Sequence, residues 1–471
     1  MEEKLNEKER RRFSDPVPKG VFAILRTLRA NGHKAYIVGG SVRDIILRRE
    51  VSDWDIATSA IPEEVAGLFE HFVDIGIPHG CVRVGGGEEA YYEVTTFRCD
   101  GDYSDARRPD RVYFTRKLED DLARRDFTIN AIAYDPIDGV LVDPFSGRID
   151  IEYRIITTVG DPKERFHEDA LRPLRAARFA ATLEFEIDEE TLSAMASEKD
   201  RIGLVSKERI RDEIMKMLGA SRPSIGFEIM EQTSILSLVI EPLARGIGVT
   251  QNEFHAYDVF HHSIYTADSA PVEKPLVRLA SLLHDVGKPQ TREERNGQST
   301  FYNHEVVGAR ICDDWMRMMK FSNDEREAVV HLVKCHMFDY KGEWTDGAVR
   351  RFIRRAGIEN IADLFDLRIA DFLGNGLRQG FPSYLDDMRE RIERILGQDS
   401  ALKISHLAIN GEDIMRKLGV GPGPLVGRIL DELLEVVLDS PWKNTKEELL
   451  RIAGQLKLSL EKGNDARRDE P

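Results

Sequence analysis

Cysteines and long apolar runs are scarce in this sequence of 471 residues, and their scarcity limits where the protein can act. The four cysteines, Cys81, Cys99, Cys312 and Cys335, are scattered without Cys-x-x-Cys spacing, which favours a reducing, cytoplasmic environment. No apolar run approaches the roughly 20 residues that a membrane-spanning helix needs. The N-terminus, MEEKLNEKERRRF, is charged and no apolar segment follows it. The sequence therefore indicates neither secretion nor a membrane partner.

Excess positive charge is also missing. The chain has 67 basic and 83 acidic residues, a net charge of −16, which argues against indiscriminate binding to nucleic acid because such binding depends on positive charge. Local basic clusters can still contact RNA on an acidic surface. They occur at Arg107-Arg108, at Arg124-Arg125 and at 350–355. The cluster at 350–355 is compatible with an RNA-binding patch and equally with a solvated helix face.

The length of the chain is too great for a single core. Short β-rich runs and glycine turns extend to about residue 150, and helical periodicity without further strands is predicted beyond Thr158. We therefore predict an α+β fold, in which a small mixed head precedes a mostly helical remainder. The expected segments are a disordered lead-in (1–18), the head (19–150), a helical neck (151–220), a helical body (221–395), a helical tail (396–457) and a disordered end (458–471).

A glycine turn joins a predicted strand to a predicted helix. Tyr36-Ile37-Val38 is a short apolar run that ends in Gly39-Gly40, and Val42 to Leu47 has the pattern of a helix start. Backbone N–H groups and the positive end of a helix can approach a triphosphate at such a turn. Arg43 adds a fork-shaped donor for phosphate oxygens.

Two carboxylates follow on the next predicted strand. Asp53 and Asp55 are expected on one face, because side chains alternate along a strand. Paired carboxylates repel unless a cation joins them, and Mg²⁺ prefers such hard oxygen ligands. Together with the glycine turn, they predict metal-dependent nucleotidyl transfer. Glu93 fits a third metal carboxylate, a base for the primer hydroxyl, or an exposed strand residue.

Two further segments of the head carry polar groups. The stretch from Thr95 to Pro109 begins as a strand and becomes a polar loop with few apolar anchors, for which we predict mobility. Its candidate residues are Arg98, Asp100, Gly101, Arg107 and Arg108. Arg125-Asp126 can bind a triphosphate and a ribose hydroxyl, or form a structural ion pair.

An ionic stripe is predicted on a helix that begins near Phe166. Asp169, Arg172, Arg175 and Arg178 recur at steps of three, which keeps them on one drifting face. The arginines would repel one another unless a polyanion or a base edge lies before them. Asp169 can accept from an exocyclic amino group while Arg172 donates to a ring acceptor, and C and A present that pattern.

The ordered motifs GGSVRD, DWDIAT, YEVTTFRCDGDYSDARRPD, RRDFTINAIAYD and EDALRPLRAARF resemble those of the class II tRNA nucleotidyltransferases, or CCA-adding enzymes, of the polymerase-β-like superfamily. The resemblance spans roughly residues 30 to 220. It implies template-independent addition of CMP, CMP and AMP to tRNA from CTP and ATP with Mg²⁺. Asp53 and Asp55 would hold the metal. The nucleotide would be bound by Gly39, Gly40, Arg43, Arg125, Asp126, Asn130, Asp169, Arg172, Arg175 and Arg178.

The resemblance also bears on which nucleotides are added. Family members that add only C typically lack the loop from Arg98 to Arg108, so the terminal A is expected here. A-only addition and poly(A) polymerase activity remain alternatives, and the oligomeric state is left open. The segment from Ile404 to Pro424 resembles the tRNA-contacting tail of these enzymes, and a plain helical packing module is the other reading.

A second constellation lies in the helical half. His262, His284, Asp285 and Asp371 resemble the core ligands of the HD superfamily of metal-dependent phosphohydrolases, and His304 and His336 are candidate auxiliary ligands. Imidazole and carboxylate together suit a divalent ion of intermediate hardness. The resemblance implies an unidentified divalent metal in the body, and with it either phosphohydrolase activity or an RNA-binding role alone.

Overall fold

The computed structural model describes residues 2–76, 80–85, 90–101, 111–251, 255–295, 298–340, 342–378, 380–398 and 401–465. The chain divides into two compact units. The first unit is Met1–Arg245 with Trp315–Ser322, and the second is Gly246–Asp314 with Asn323–Pro471. The predicted α+β class is confirmed. Over the described part of the chain, no helix has the length and apolar character needed to cross a bilayer.

The first unit is built on an eight-stranded sheet of order β1-β10-β9-β2-β3-β6-β5-β4. Its neighbouring strands are antiparallel except β3 and β6, which are parallel. The strands are β1 (Glu2–Lys4), β2 (Ala35–Val38), β3 (Asp55–Thr58), β4 (Phe72–Gly76), β5 (Cys81–Gly85), β6 (Tyr91–Thr96), β9 (Ala133–Asp135) and β10 (Val140–Val142). Two separate pairs are β7 (Arg98–Asp100) with β8 (Val112–Phe114), and β11 (Ile155–Ile156) with β12 (Glu186–Ile187).

Helices of the first unit form because apolar residues recur at helical spacing. In α2, Val21, Ile24, Leu25 and Leu28 are all buried. The helices are α1 (Glu7–Ser14), α2 (Lys19–Ala30), α3 (Gly40–Leu47), α4 (Pro62–Leu68), α5 (Leu118–Ala123), α6 (Gly147–Tyr153), α7 (Pro162–Glu168), α8 (Arg172–Leu183), α9 (Glu189–Ser197), α10 (Lys207–Leu218), α11 (Ser224–Gln232), α12 (Leu236–Val239) and α13 (Glu241–Ala244). Short 3-10 helices cover Thr128–Asn130 and Lys199–Leu204.

The second unit is mainly helical. Its elements are α14 (Val259–Ser269), α15 (Pro275–Leu283), α16 (Lys288–Thr291), the hairpin β13 (Glu293–Arg295) and β14 (Gln298–Thr300), α17 (His304–Met318), α18 (Asn323–Cys335), α19 (Asp346–Ala356), α20 (Ile361–Leu373), α21 (Tyr384–Leu396), α22 (Gly411–Leu418), α23 (Pro424–Asp439) and α24 (Lys446–Asp465). Helices α14, α15, α18 and α20 pack against one another. Short 3-10 helices cover Ile358–Asn360, Ile404–His406 and Pro441–Lys443.

The expectation of a disordered lead-in is wrong. Strand β1 pairs with β10 through its backbone, which does not require apolar side chains. Helix α1 is closed by a capping box between Asn6 and Glu9, and Phe13 packs its ring 5.1 Å from that of Tyr134. Charge in the lead-in therefore lies on the solvent side of ordered elements.

Two other expectations also need correction. Residues 458–465 continue helix α24 instead of being disordered, and 466–471 lie outside the described residues. Strands β12, β13 and β14 occur beyond Thr158, too short to give a period-two pattern. In the basic cluster at 350–355, Arg350 donates to the carbonyl of Leu438, and Arg351 and Arg354 pair with acidic side chains of α23.

Gly147 offers a test of the packing beneath the head. A Cβ there would overlap the backbone carbonyl of Thr128 and approach Ile132 Cδ1 to 3.1 Å. We expect Gly147→Ala to lower the free energy of unfolding by about 1–3 kcal/mol, the usual cost of overpacking. Gly203→Ala is the matched control, because no atom lies within 4 Å of its added Cβ. Urea unfolding of both variants gives the comparison, and equal midpoints would contradict the described packing.

Candidate functional site

The glycine turn of the first unit lies where β2 meets α3. Gly39 has a φ of 76°, in the left-handed region that glycine tolerates. A Cβ at this position would lie 2.8 Å from Arg125 Nη1 and 3.6 Å from Asp55 Oδ2. The turn is therefore a glycine both for its conformation and because a cation and a carboxylate approach its backbone. The predicted strand-to-helix turn is present, with the helix starting at Gly40.

The two predicted carboxylates differ in their surroundings. Asp55 is the first residue of β3, whereas Asp53 precedes the strand and is exposed, with the buried Trp54 between them. Asp55 is opposite Val38 on one side and Glu93 on the other. Burial, opposed by Arg125 and assisted by Asp53 and Glu93, raises the pKa of Asp55 to about 6. Carboxylates crowded in this way suit a divalent cation.

Glu93 contacts a thiol that sequence reasoning missed. Cys81 Sγ lies 2.9 Å from Glu93 Oε1 and donates to it. Burial and the hydrogen bond to Glu93 raise the pKa of the Cys81 thiol to about 12, so it is a hydrogen-bond donor here. The pairing arises because β5 and β6 are antiparallel neighbours, a relation that no spacing along the chain reveals.

A hydrogen-bonded chain links the turn to the neck. Arg43 Nη1 donates to Asn130 Oδ1 at 2.8 Å, and Asn130 Nδ2 donates to Asp126 Oδ1 at 3.2 Å. The other oxygen of Asp126 pairs with Arg175 Nη2 at 2.6 Å. Burial opposes ionisation of Asp126, but the charge of Arg175 prevails and holds its pKa well below the ordinary value. Arg125 pairs with the buried Asp121 at 3.3 Å.

The ionic stripe is not carried by one helix, contrary to expectation. Helix α7 ends at Glu168 and α8 begins at Arg172, with Asp169 in an extended conformation between them. Pro173, in the first turn of α8, suits a helix start. Arg172 is 7% exposed, and it donates to Glu168 at 2.7 Å and to the carbonyls of Arg165 and Arg124 at 3.1 Å.

The arginines of α8 are compensated within the protein. The guanidinium of Arg178 lies 3.9 Å from the Phe179 ring centroid, and those of Arg175 and Arg43 lie at 5.5 and 5.3 Å. Arg178 Nε also donates to the buried Glu213 at 2.5 Å. A π face and a buried acid thus reduce the repulsion inferred from the stripe. Neither Phe179 nor Glu213 was identified from the sequence.

The predicted loop is only partly described. Arg98 to Asp100 form strand β7, which pairs with β8, so these residues are not loop. Gly101 N–H donates to the carbonyl of Arg111 at 2.9 Å and extends that ribbon. Arg107 and Arg108 lie outside the described residues. The β-pairing was hidden because β8 is separated from β7 by a polar stretch.

The second unit brings its predicted ligands together. His262 lies in α14, His284 and Asp285 follow α15, and Asp371 lies in α20. His262 Nε2 is 3.1 Å from Asp371 Oδ1 and 3.5 Å from Asp285 Oδ2, and His284 Nε2 is 3.1 Å from Asp285 Oδ2. The buried Nε2 atoms of His262 and His284 make no hydrogen bond of good geometry, as expected of atoms that ligate a cation.

The auxiliary histidines join the same cluster. His304 Nε2 lies 3.3 Å and His336 Nε2 3.9 Å from Asp285 Oδ1. Two groups can therefore each hold an ion, His262 with His284 and Asp285, and Asp285 with His304 and His336. Asp285 belongs to both, through different oxygens. Burial, with the neighbouring His284, lowers the pKa of His336 to about 3, so its imidazole is neutral and able to ligate.

All four imidazoles are oriented by backbone carbonyls. The Nδ1 atoms of His284, His304 and His336 lie 2.6 to 2.7 Å from the carbonyls of Ser281, Phe301 and Val333, and Nδ1 of His262 lies 3.3 Å from that of Gly374. These contacts favour the proton on Nδ1 and leave each Nε2 lone pair facing the cluster.

A cavity of 370 Å³ opens onto this cluster. Three cationic side chains line it, Lys288, Arg368 and Arg378, together with Phe301 and Tyr302. Lys288 Nζ is 2.6 Å from Asp285 Oδ2, and Arg368 Nη1 is 2.7 Å from Asp371 Oδ2. The cavity thus combines candidate metal ligands with groups that attract an anion.

Three family models match parts of the chain. They are described as "Poly A polymerase head domain" over residues 35–157, "Probable RNA and SrmB- binding site of polymerase A" over 184–245, and "tRNA nucleotidyltransferase domain 2 putative" over 307–453. The first covers the glycine turn and the Asp53 to Asp126 region, and the last covers His336 and Asp371.

Curated relatives match over nearly the full length. The CCA-adding enzyme of Lactococcus lactis subsp. cremoris (strain MG1363) is 35% identical over 93% of this chain and 96% of its own. That of Geobacillus kaustophilus is 34% identical over 91% and 94%. The crystal structure of the Bacillus stearothermophilus CCA-adding enzyme in complex with CTP matches 95% of this chain and 99% of its own, with a TM-score of 0.72 and 28% identity. The chain therefore belongs to the CCA-adding enzymes, a family of tRNA nucleotidyltransferases.

Proposed function

We propose that the first unit adds CMP, CMP and AMP to the 3′ end of tRNA from CTP and ATP, without a nucleic-acid template. The observation that carries this proposal is the convergence of the Gly39 turn, Asp55 and Glu93 at one edge of the sheet. Solved relatives include CCA-adding enzymes bound to CTP, to ATP and to tRNA_CCA. Since these substrates are cytoplasmic, we infer cytoplasmic action.

Mg²⁺ fits the carboxylates of this edge. We infer that Asp53 and Asp55 hold it, with Glu93 as a third carboxylate, because burial and mutual proximity disfavour the charged form of Asp55 and a cation would offset this effect. When bound, the ion would neutralise charge on the triphosphate during transfer. The Cys81 thiol would keep Glu93 oriented by its hydrogen bond.

Nucleotide binding is assigned to the turn and to the hydrogen-bonded chain beside it. The N–H group of Gly40, with Arg43 and Arg125, would bind phosphate oxygens, whereas that of Gly39 already donates to the carbonyl of Ile132. Asp126 and Asn130 would bind the ribose. Their positions are fixed by Arg43 and Arg175, whose hydrogen bonds are already formed.

Base recognition is assigned to the segment between α7 and α8. Asp169 would accept from the exocyclic amino group that C and A share. Arg172 would have to exchange its contacts with Glu168 and two carbonyls to reach a base. Arg175 and Arg178 would maintain the positive surroundings of the nucleotide.

The transfer site can be tested by isosteric substitution. Asp53→Asn and Asp55→Asn should each reduce CMP and AMP incorporation to a few per cent or less, because the amide cannot replace an anionic metal ligand, while tRNA affinity is retained. Asp138→Asn is the matched control, since Asp138 is exposed and paired with Arg29. Assays on tRNA lacking CCA, CA or A also separate CCA addition from A-only addition and from poly(A) synthesis. Full activity of both variants would refute the assignment.

The pKa of Asp55 predicts how stability depends on pH. Without metal, the folded state keeps this proton up to about pH 6, whereas an unfolded aspartate releases it near pH 4. Stability should therefore fall as pH rises from about 4 to 6, by up to about 3 kcal/mol. Mg²⁺ should restore it above pH 6. Denaturant titrations in chelator and in Mg²⁺ measure this, and Asp55→Asn should show neither the fall nor the recovery.

We further propose that the second unit is a metal-dependent phosphohydrolase. The observation that favours it is the pair of ligand groups sharing Asp285 at the wall of a cationic cavity. Nitrogen and oxygen ligands together suit ions of intermediate hardness such as Mn²⁺, Ni²⁺ or Co²⁺. A bound ion would polarise a phosphate and activate a water. Lys288, Arg368 and Arg378 would attract the anion.

Metal content tests this second proposal without relying on activity. The chain with Asp53→Asn and Asp55→Asn, stripped with chelator, reloaded with Mn²⁺, Ni²⁺ or Co²⁺ and desalted, should retain two ions. Replacing His304 and His336 by Gln should leave one, and replacing Asp285 by Ala should leave none. His261→Gln is the control, because its ring contacts Asp258 outside the cluster. Retention of no ion by the parent chain would refute the proposal.

Hydrolysis is then measured on RNA ends that the first unit cannot extend. RNA with a 2′,3′-cyclic or 3′-terminal phosphate lacks the free 3′-hydroxyl that nucleotide addition needs. Replacing His284 and Asp285 together by Ala should abolish its hydrolysis and leave CCA synthesis on a 3′-hydroxyl end unchanged. If wild-type protein loaded with any of these ions hydrolyses neither substrate, the unit is a structural or RNA-binding body.

A further inference from the structure

Two charged side chains of helix α10 contact residues that are assigned to nucleotide binding. Arg209 and Glu213 are four residues apart and so share one face of the helix. Glu213 pairs with Arg178, and Arg209 Nη2 donates to Asp169 Oδ2 at 2.8 Å. Sequence analysis identified no functional residue in α10. The family model that covers 184–245 includes this helix.

Asp169 is held by two donors in this structure. Its Oδ1 accepts from the N–H of Leu171 at 3.0 Å, and its Oδ2 accepts from Arg209. The first contact is local and fixes the carboxylate to the turn before α8. The second comes from another helix and fixes which way Oδ2 faces. Without Arg209, the outer oxygen would lose the cation that orients it.

The two arginines near Asp169 differ in how their donors are used. Arg172 donates through both terminal nitrogens, to Glu168 and to two backbone carbonyls. Arg209 uses Nη2 for Asp169, while its buried Nη1 has no hydrogen-bond partner. Arg209 therefore orients Asp169, whereas the guanidinium group of Arg172 is committed to other acceptors.

We propose that Arg209 is a positioning residue for nucleotide selection, whose ion pair holds Asp169 Oδ2 in the orientation that accepts from the exocyclic amino group of an incoming base. This inference rests on the proposed assignment of Asp169 to base recognition. A carboxylate oxygen held in this way accepts from an amino group and is repelled by a carbonyl. Cytosine and adenine offer the complementary amino group and ring acceptor, whereas uracil and guanine offer a carbonyl and a ring N–H. Arg209 thereby acts through Asp169 to exclude UTP and GTP.

The test measures discrimination between nucleotides in the full-length enzyme. For Arg209→Gln, kcat/KM is compared for CTP and UTP on tRNA lacking CCA, and for ATP and GTP on tRNA lacking only A. We expect the ratio of correct to incorrect nucleotide to fall about tenfold or more, which corresponds to about 1.4 kcal/mol. Arg209→Lys should recover part of it, since a lysine retains the charge beside Asp169. Affinity for tRNA should not change.

Two comparisons separate a specificity role from a structural one. Arg211→Gln, in the same helix but paired with the exposed Asp212, should leave both ratios unchanged. The double variant of Arg209→Gln and Asp169→Ala should lose no more discrimination than Asp169→Ala alone, because the two residues act as one unit.

Different results would overturn different claims. If Asp169→Ala relaxes discrimination but Arg209→Gln slows all four nucleotides equally, Arg209 is only structural and this inference is wrong. If Asp169→Ala leaves discrimination intact, the assignment of Asp169 fails as well. Melting temperatures of each variant identify loss of folding, and in that event the Lys variant gives the decisive ratio.

Discussion

The parallel pairing of β3 with β6 is the constraint on which the first unit's site depends. It sets Asp55 directly beside Glu93, while the antiparallel pairing of β3 with β2 sets Asp55 opposite Val38, at the start of the glycine turn. A shift of one residue in either register would turn Asp55 to the other face of the sheet. Burial is the largest cause of the raised pKa of Asp55, and the crowding by Glu93 that adds to it is a product of strand register, which a cation at this edge would relieve.

Charge compensation extends from this edge into the neck. Asp126 connects Asn130 on one side with Arg175 on the other, and Glu213 connects Arg175 with Arg178. Groups assigned to phosphate and ribose are therefore linked, through hydrogen bonds and ion pairs, to the arginines of α8. In such networks, the effect of a substitution spreads to its neighbours. In the proposed assignment, selection of a nucleotide depends on α8 and α10 as well as on the carboxylates of the sheet edge.

The second unit stabilises its buried charged groups by a different arrangement. Asp285 is 1% exposed, and its neighbours are Lys288 and imidazoles, which can be neutral. Arg368 pairs with Oδ2 of Asp371. Each imidazole is fixed by a carbonyl, so its free nitrogen faces the carboxylate. A cluster of this kind offers a cation nitrogen and oxygen ligands together, whereas the carboxylates assigned to the metal in the first unit offer oxygen ligands. The two units thus suit ions of different hardness.

The sequence by itself determined those features that depend on residues adjacent in the chain. The turn at Gly39, the carboxylate at Asp55 and the family motifs depend on local order along the chain, and the fold class follows from local periodicity. Tertiary structure alone decided which distant groups meet. Glu93 joins Asp55 through strand register, Arg209 reaches Asp169 because α10 packs on α8, and His336 reaches Asp285 at the end of α18. These contacts were fixed by helix packing and strand pairing between segments far apart in the sequence, and the distances between such segments cannot be derived from a local sequence pattern.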